Sequence, residues 1–356
     1  MGKLFARRIT LRSPFTLTHL PFTARFHRAV VQRRSSRKAQ LLIGAPLEKL
    51  FQLYYRGLPL RSVGELEYQS PGGARTIRFN ARNLAFDMFY SELFAENYED
   101  ETAVLLDAFL PPDGCLYDIG SNWGFFSLYC ASRSERLKIH AFEPIPSTFA
   151  DLVSCVAQAG MSAQIQCHNL AVSDSEKEME FQVPLHSAAA QSETEAPFDP
   201  SVRRVPVRTA RLDELHLDRP DFIKIDAEGH EAAVLRGSHV LLRETKPFLM
   251  FENKLYRSSP EQTLDPLHSL IRLGYELFVP TVRRASGEAE YLENCGYQTD
   301  VGKMQIIKRE DVLVLLPCDP ALRFLLPAFL NLFACHRDRL SELHSRFDEL
   351  PLKSIA

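Results

Sequence analysis

From residue 113 to 316 the chain alternates short runs that are apolar throughout with stretches of helical periodicity, and few folds accept that pattern. Strands are expected at "CLYDIG" (115–120), "KIHAFEP" (138–144), "AQIQCHNLAV" (163–172), "DFIKIDA" (221–227), "PFLMFENK" (247–254), "YELFVPTV" (275–282) and "DVLVLLP" (311–317). Helices are expected at 124–134, 146–160, 230–237 and 259–274, two of them stopped by Gly160 and Gly237. Strands that are apolar on both faces and separated by helices belong to a parallel sheet covered on each side. The expected fold is therefore α/β and doubly wound, a sheet with helices on both faces. Ligands of such domains bind beyond the carboxyl ends of the strands, so polar side chains should collect there.

They do collect there. The first strand ends in Asp118-Ile-Gly120-Ser121-Asn122-Trp123-Gly124, a D-x-G-x-x-x-G turn before a helix. Glycines let backbone approach a ligand closely, and the helix start offers free N–H groups. The same spacing also serves turn geometry alone. The second strand ends in Glu143-Pro144, and an acid there can accept two ribose hydroxyls; the plainer alternative is an acid favoured by a helix dipole. The fourth ends in "KIDAEGHE", with Lys224 and Asp226 on one sheet face and Glu228, His230 and Glu231 just beyond. Charges seldom line a buried strand without partners. The fifth ends in Glu252-Asn253-Lys254.

Taken together, these segments resemble one family. "YEDETAVLLDAFLPPDGCLYDIGSNWGFFSLY", "AFEPIPSTFADL", "NLAVSD", "RLDEL", "FIKIDAEGHEAAVLRG" and "PFLMFEN" are similar to FkbM-like methyltransferases, a branch of the class I S-adenosylmethionine-dependent enzymes. The resemblance covers about residues 98–279. It implies a Rossmann-like, seven-stranded, mostly parallel sheet whose last strand is antiparallel. It also implies methyl transfer, usually to oxygen, on sugars or other small metabolites. By the resemblance, Asp118, Gly120, Ser121, Asn122 and Gly124 form the S-adenosylmethionine loop, Glu143 and Pro144 hold the ribose, and Ala171 and Val172, with Ser173 and Asp174, flank the adenine. Asp226 and Glu228 stand beside the methyl group. The chain departs from the family at Cys155, where many relatives carry Asn, and at Ser121, where Ala is common. Neither change touches the cofactor acids.

Catalytic candidates for removing the acceptor's proton are Asp226, Glu228 and His230. A lesser reading adds Mg²⁺, with Asp226 and Glu252-Asn253 as oxygen ligands; two-carboxylate clusters also serve hydrogen bonding, and no metal ligand is expected. The expected partner is a small-molecule hydroxyl acceptor such as a carbohydrate. A rival from another class is a non-catalytic S-adenosylmethionine-binding or assembly-factor protein that keeps the fold. A nicotinamide oxidoreductase would prefer G-x-G-x-x-G, which "GSNWG" lacks. Trp123, the only Trp, either stacks on a ligand or closes the pocket floor.

The flanks are less legible. Residues 1–40 hold ten Lys or Arg and no acid, whereas residues 41–356 hold all 45 acids against 32 basic residues. The acidic body argues against a nucleic-acid partner. The basic leader (1–45) reads as a disordered arm or as an organelle transit peptide, leaving cytoplasmic and mitochondrial locations open. Residues 46–112 form a preamble packing on the core, 113–320 the cofactor domain, and 173–212 an insertion, hairpin-like with a mobile tip. Seven scattered Cys without a C-x-x-C pair support neither a disulfide framework nor structural zinc. "ALRFLLPAFLNLFAC" (321–335) is too short and polar to span a membrane and is expected to be an amphipathic helix opening a helical tail at 321–356. No transmembrane segment is expected.

Overall fold

A computed structural model describes residues 3–9, 11–19, 63–80, 86, 98–184, 191–192, 202–283 and 311–351. In chain order the strands are β1 (Lys3–Arg8), β2 (Phe15–His19), β3 (Val63–Ser70), β4 (Gly73–Asn80), β5 (Cys115–Ile119), β6 (Lys138–Phe142), β7 (Ile165–His168), β8 (Ala171–Val172), β9 (Lys177–Pro184), β10 (Gln191–Ser192), β11 (Val202–Ala210), β12 (Phe222–Ile225), β13 (Phe248–Lys254), β14 (Tyr275–Arg283), β15 (Val312–Pro317), β16 (Phe329–His336) and β17 (Asp348–Pro351). The α-helices are α1 (Asp100–Phe109), α2 (Phe125–Ala131), α3 (Pro146–Ala159), α4 (Glu231–Arg236), α5 (His239–Thr245), α6 (Pro260–Arg272) and α7 (Leu340–Arg346).

The main sheet runs β17-β1-β15-β14-β16-β13-β12-β5-β6-β7. Strands β13, β12, β5, β6 and β7 are mutually parallel, and β16 enters antiparallel between β13 and β14. The seven-stranded expectation is thus corrected to ten strands. The extra three are β15, which hairpins onto β14, then β1 and β17 at the edge. Buried side chains of α1, α2 and α3 cover one face and those of α4, α5 and α6 the other. The chain winds from β5 to β6 on one side and resumes at β12 on the other, which opens a crevice at the carboxyl end of β5.

Two flank expectations are corrected. The 321–335 segment is not a surface helix. A 3-10 turn at Pro320–Leu325 is followed by β16, buried in the sheet. Pro327 prevents a continuous helix, and the run after it is apolar on both faces, a signature shared by buried helix and buried strand. The guanidinium of Arg323, fully buried, anchors this turn by donating to Asn253 Oδ1 (2.5 Å), Asn253 O (2.7 Å) and Pro327 O (2.8 Å). The leader is not wholly an arm either: Lys3–Arg8 is a sheet strand, and Phe15–His19 pairs with β3. The apolar run Leu4-Phe5-Ala6 in "KLFARR" outweighs its charge once β15 offers an unpaired edge.

Strands β2, β3 and β4 form a small antiparallel sheet against α2 and α3, tied by Tyr68 donating to Leu128 O (2.8 Å) and by Gln158 bonding the Arg78 backbone. The insertion is an antiparallel β9–β11 hairpin whose far strand pairs with β8 in parallel. Its tip, expected to be mobile, lies largely outside the described residues, as do parts of the leader and of the preamble. Among the described residues no helix is long and apolar enough to cross a membrane.

Candidate active site

A cleft opens at the carboxyl ends of β5, β6 and β12. Its floor is the turn after β5. Gly120 has φ +73, and a Cβ there would come within 1.7 Å of the Asp226 carbonyl, so glycine is required by space as well as by conformation. Asn122 also adopts positive φ (53°), lines the cleft, and leaves Oδ1 without a hydrogen-bond partner.

Glu143 forms the next wall. Its Oε1 accepts the Ile145 backbone N–H (2.9 Å) and its Oε2 that of Asn122 (3.1 Å). The carboxyl is thus held in one orientation by two turns. Burial raises its pKa to about 7, although those two hydrogen bonds oppose the shift. Each oxygen keeps acceptor capacity for a hydroxyl pair. Ala171, Val172 and Phe181 close the far end with apolar surface.

Of the residues proposed from sequence, Gly120, Asn122, Glu143, Pro144, Ala171, Val172, Asp226, Glu228 and His230 all line this cleft. Asp118, Ser121 and Gly124 are not among its walls. Asp118 is fully buried beneath it: Oδ2 accepts from Ser127 N (3.1 Å) and Oγ (2.7 Å), while Oδ1 lies 3.9 Å from Lys224 Nζ. Lys224 also donates to Asp226 Oδ2 (3.3 Å). Burial alone would lower the Lys224 pKa, but Asp226, Asp118 and Glu99 raise it, so the ammonium persists. Asp118 therefore organises the strand ends from below. Gly124 (φ +96) caps α2, and Ser121 is buried. Trp123 is packed among Phe15, Phe86 and Phe125, the packing alternative rather than ligand stacking.

His230 stands at the apolar end of the cleft, with Phe181. Its Nε2 lies 3.2 Å from Ser173 Oγ, its ring meets Phe181 edge-on, and burial lowers its pKa. Ser173 and Asp174 do not line the cleft; Asp174 pairs with Arg236 at 2.9 Å. Glu228, at φ 52, pairs with Lys254. Glu231 accepts the backbone N–H groups of Ala227 and Gly229 (both 3.1 Å), holding the turn. Asn253 is turned away, donating to Thr263 O and accepting from Arg323, so it does not join Asp226 and Glu252 as a third oxygen for Mg²⁺. Among the described residues no group of three His, Cys, Asp or Glu is placed to hold a metal.

Sequence reasoning missed Phe181, whose only signal is alternation in "EMEFQVP", and Glu99, the acid just before α1. Burial raises the Glu99 pKa to about 7, with Lys224 opposing and Asp226 adding to the shift.

A parallel sheet with a glycine turn after its first strand and an acid after its second defines a class of nucleoside-binding transferases and oxidoreductases. Within that class, the pattern of the Methyltransferase FkbM domain matches residues 115–299, and the chain belongs to that family. It is 31% identical over 116 residues to the AMB antimetabolite synthetase AmbE of Pseudomonas aeruginosa, covering 33% of this chain and 5% of that one. It is 26% identical over 141 residues to the hexuronic acid methyltransferase AglP of Haloferax volcanii (35% and 50%). It is 30% identical over 105 residues to the 31-O-demethyl-FK506 methyltransferase FkbM of Streptomyces tacrolimicus (29% and 37%). The chain therefore spans between a twentieth and half of the length of these relatives.

Proposed function

We propose that the protein transfers a methyl group from S-adenosylmethionine to a hydroxyl oxygen on a sugar or another small metabolite. The observation that carries this reading is Glu143, a buried carboxyl whose two oxygens are each fixed by a backbone N–H and face a cleft floored by the Gly120 turn. That arrangement suits two ribose hydroxyls. The buried, unpartnered Asn122 Oδ1 offers a further acceptor, and Phe181 with Val172 gives an apolar slot for a purine. Family membership supports methyl transfer, and the relatives named for hexuronic acid and for a 31-O-demethyl substrate support oxygen acceptors.

S-adenosylmethionine supplies a methyl carbon made electrophilic by its sulfonium. The chain's task is then alignment, worth up to ~7–11 kcal/mol in the best intramolecular comparisons. The test is calorimetric titration with S-adenosylhomocysteine. Wild type should bind in the micromolar range. Glu143→Ala and Phe181→Ala, each checked for folding, should each lose roughly tenfold or more, about 1.4 kcal/mol. No binding by a well-folded wild type would remove this reading and favour a non-catalytic role.

A further inference from the structure

We infer that Glu252 is the group that takes the acceptor's proton, and that it does so in a second cleft that receives the acceptor; this rests on the methyltransferase reading above. The second cleft is open to solvent and is lined by Glu99, Glu252, Phe329 and Asn331 among others. It shares Asp226 with the first cleft, so the two adjoin at one strand end. Register fixes the relation. Lys224 lies opposite Met250 and Ile225 opposite Phe251 in the parallel β12–β13 pair. One step further, Asp226 and Glu252 stand side by side at the carboxyl ends, on the face that carries Lys224.

The other candidates are already engaged. Asp226 is bonded to the buried Lys224 ammonium, and Glu228 is paired with Lys254. His230 sits by Ser173 and Phe181 at the apolar end of the first cleft and does not line the second. Glu99 accepts from Thr102 Oγ1 (3.2 Å). Asn331, directly opposite Glu252 in the β13–β16 pair, donates instead to Glu101 (3.1 Å). Glu252 is left with an enclosed Oε2 that accepts no hydrogen bond; Lys254 Nζ lies 3.3 Å away without hydrogen-bond alignment. Burial, then the neighbouring Asp226 and Glu228 charges, raise its pKa to about 7 against the pull of Lys254. That suits a base working near neutrality. Phe329, 66% exposed at the cleft mouth, presents a ring face on which an acceptor ring can lie.

In the step itself, a lone pair of the acceptor oxygen forms the new O–C bond as the C–S bond breaks. The C–S electron pair returns to sulfur, leaving neutral S-adenosylhomocysteine. The hydroxyl proton passes to the Glu252 carboxylate and from there to water.

The test needs no known acceptor. Sinefungin carries an amine-bearing carbon where S-adenosylmethionine has its methylated sulfur, so its ammonium probes what faces the methyl position. Calorimetry should show wild type binding sinefungin at least tenfold more tightly than S-adenosylhomocysteine. In Glu252→Gln that ratio should fall about tenfold while S-adenosylhomocysteine affinity stays within threefold. Glu252→Asp, which keeps a charge for Lys254 but withdraws it by one methylene, should lower the ratio too, and it serves if the Gln variant misfolds. His230→Gln should change both ligands alike and keep the ratio. An unchanged ratio in both Glu252 variants would overturn the assignment. Loss of S-adenosylhomocysteine binding in wild type would instead remove the methyltransferase reading itself, and this assignment with it.

Discussion

Glu143 has two demands placed on one carboxyl. It must be buried to shape the cleft, and it must accept hydrogen bonds there. Burial wins in the free protein and lifts its pKa to about 7. An acid whose folded pKa exceeds its unfolded value binds protons more readily when folded, so its stability contribution is present at low pH and lost as pH rises through the folded pKa. Glu143→Gln cannot titrate. Thermal or urea unfolding from pH 4.5 to 7.5 should therefore show wild type losing ground to Glu143→Gln as pH rises, by at most ~1.4 kcal/mol per pH unit. A pH-independent difference would contradict the burial argument. Asp118 behaves differently because it stands below the cleft against a buried ammonium. Asp118→Ala leaves Lys224 with Asp226 as its remaining close partner and should cost ~3–5 kcal/mol in urea unfolding. A loss below ~1 kcal/mol would show that Asp118 does not support Lys224.

At the scale of elements, the sharpest expectation concerns β16, because sequence and structure disagree there. Leu332 is fully buried, as are Phe333, Ala334 and Cys335 around it. Truncating a core leucine removes its transfer energy and leaves a cavity, so Leu332→Ala should cost ~2–5 kcal/mol. A surface helix would lose far less, and a cost under ~1 kcal/mol would argue against a strand at this position. The disagreement also marks what the sequence carried. The parallel strands were legible because each is a short apolar run beside a helical stretch, and the cleft because polar residues end those runs. "FLNLFACH" was not, since an apolar run on both faces has no period to separate strand from helix, and Pro327 can precede either. Glu99 and Phe181 were hidden for another reason. Each reaches its cleft through a tertiary approach, of α1 and of the insertion hairpin, that no local pattern records. Glu252 was visible as a polar strand end, but the lack of a hydrogen bond at its enclosed oxygen depends on where Asn331 and Lys254 point.

At the scale of the whole molecule, the sheet is closed at one edge by the two ends of the described chain. Strand β1 lies between β15 and β17, antiparallel to both. Phe5 is buried there, edge-on to Phe278 at 5.7 Å and to His344 at 5.1 Å. A basic leader that reads as expendable thus supplies a strand that two others use. Removing residues 1–9 would uncover Phe278, expose the edge of β15 and leave β17 without its partner. Burial of one Phe side chain is worth ~1.5–3 kcal/mol, and the lost strand pairings add to it. A loss of ~3 kcal/mol in a chain of this size lowers Tm by roughly 4 °C. An unpaired apolar edge also templates association, so the truncated protein should form larger species on gel filtration than the full chain does. The cleft at the β5 turn lies far along the sheet from β1, so under the proposed function S-adenosylhomocysteine affinity should hold below the new Tm. An unchanged Tm with no new association would mean that β1 contributes nothing to the fold and that the first nine residues act as a separate arm.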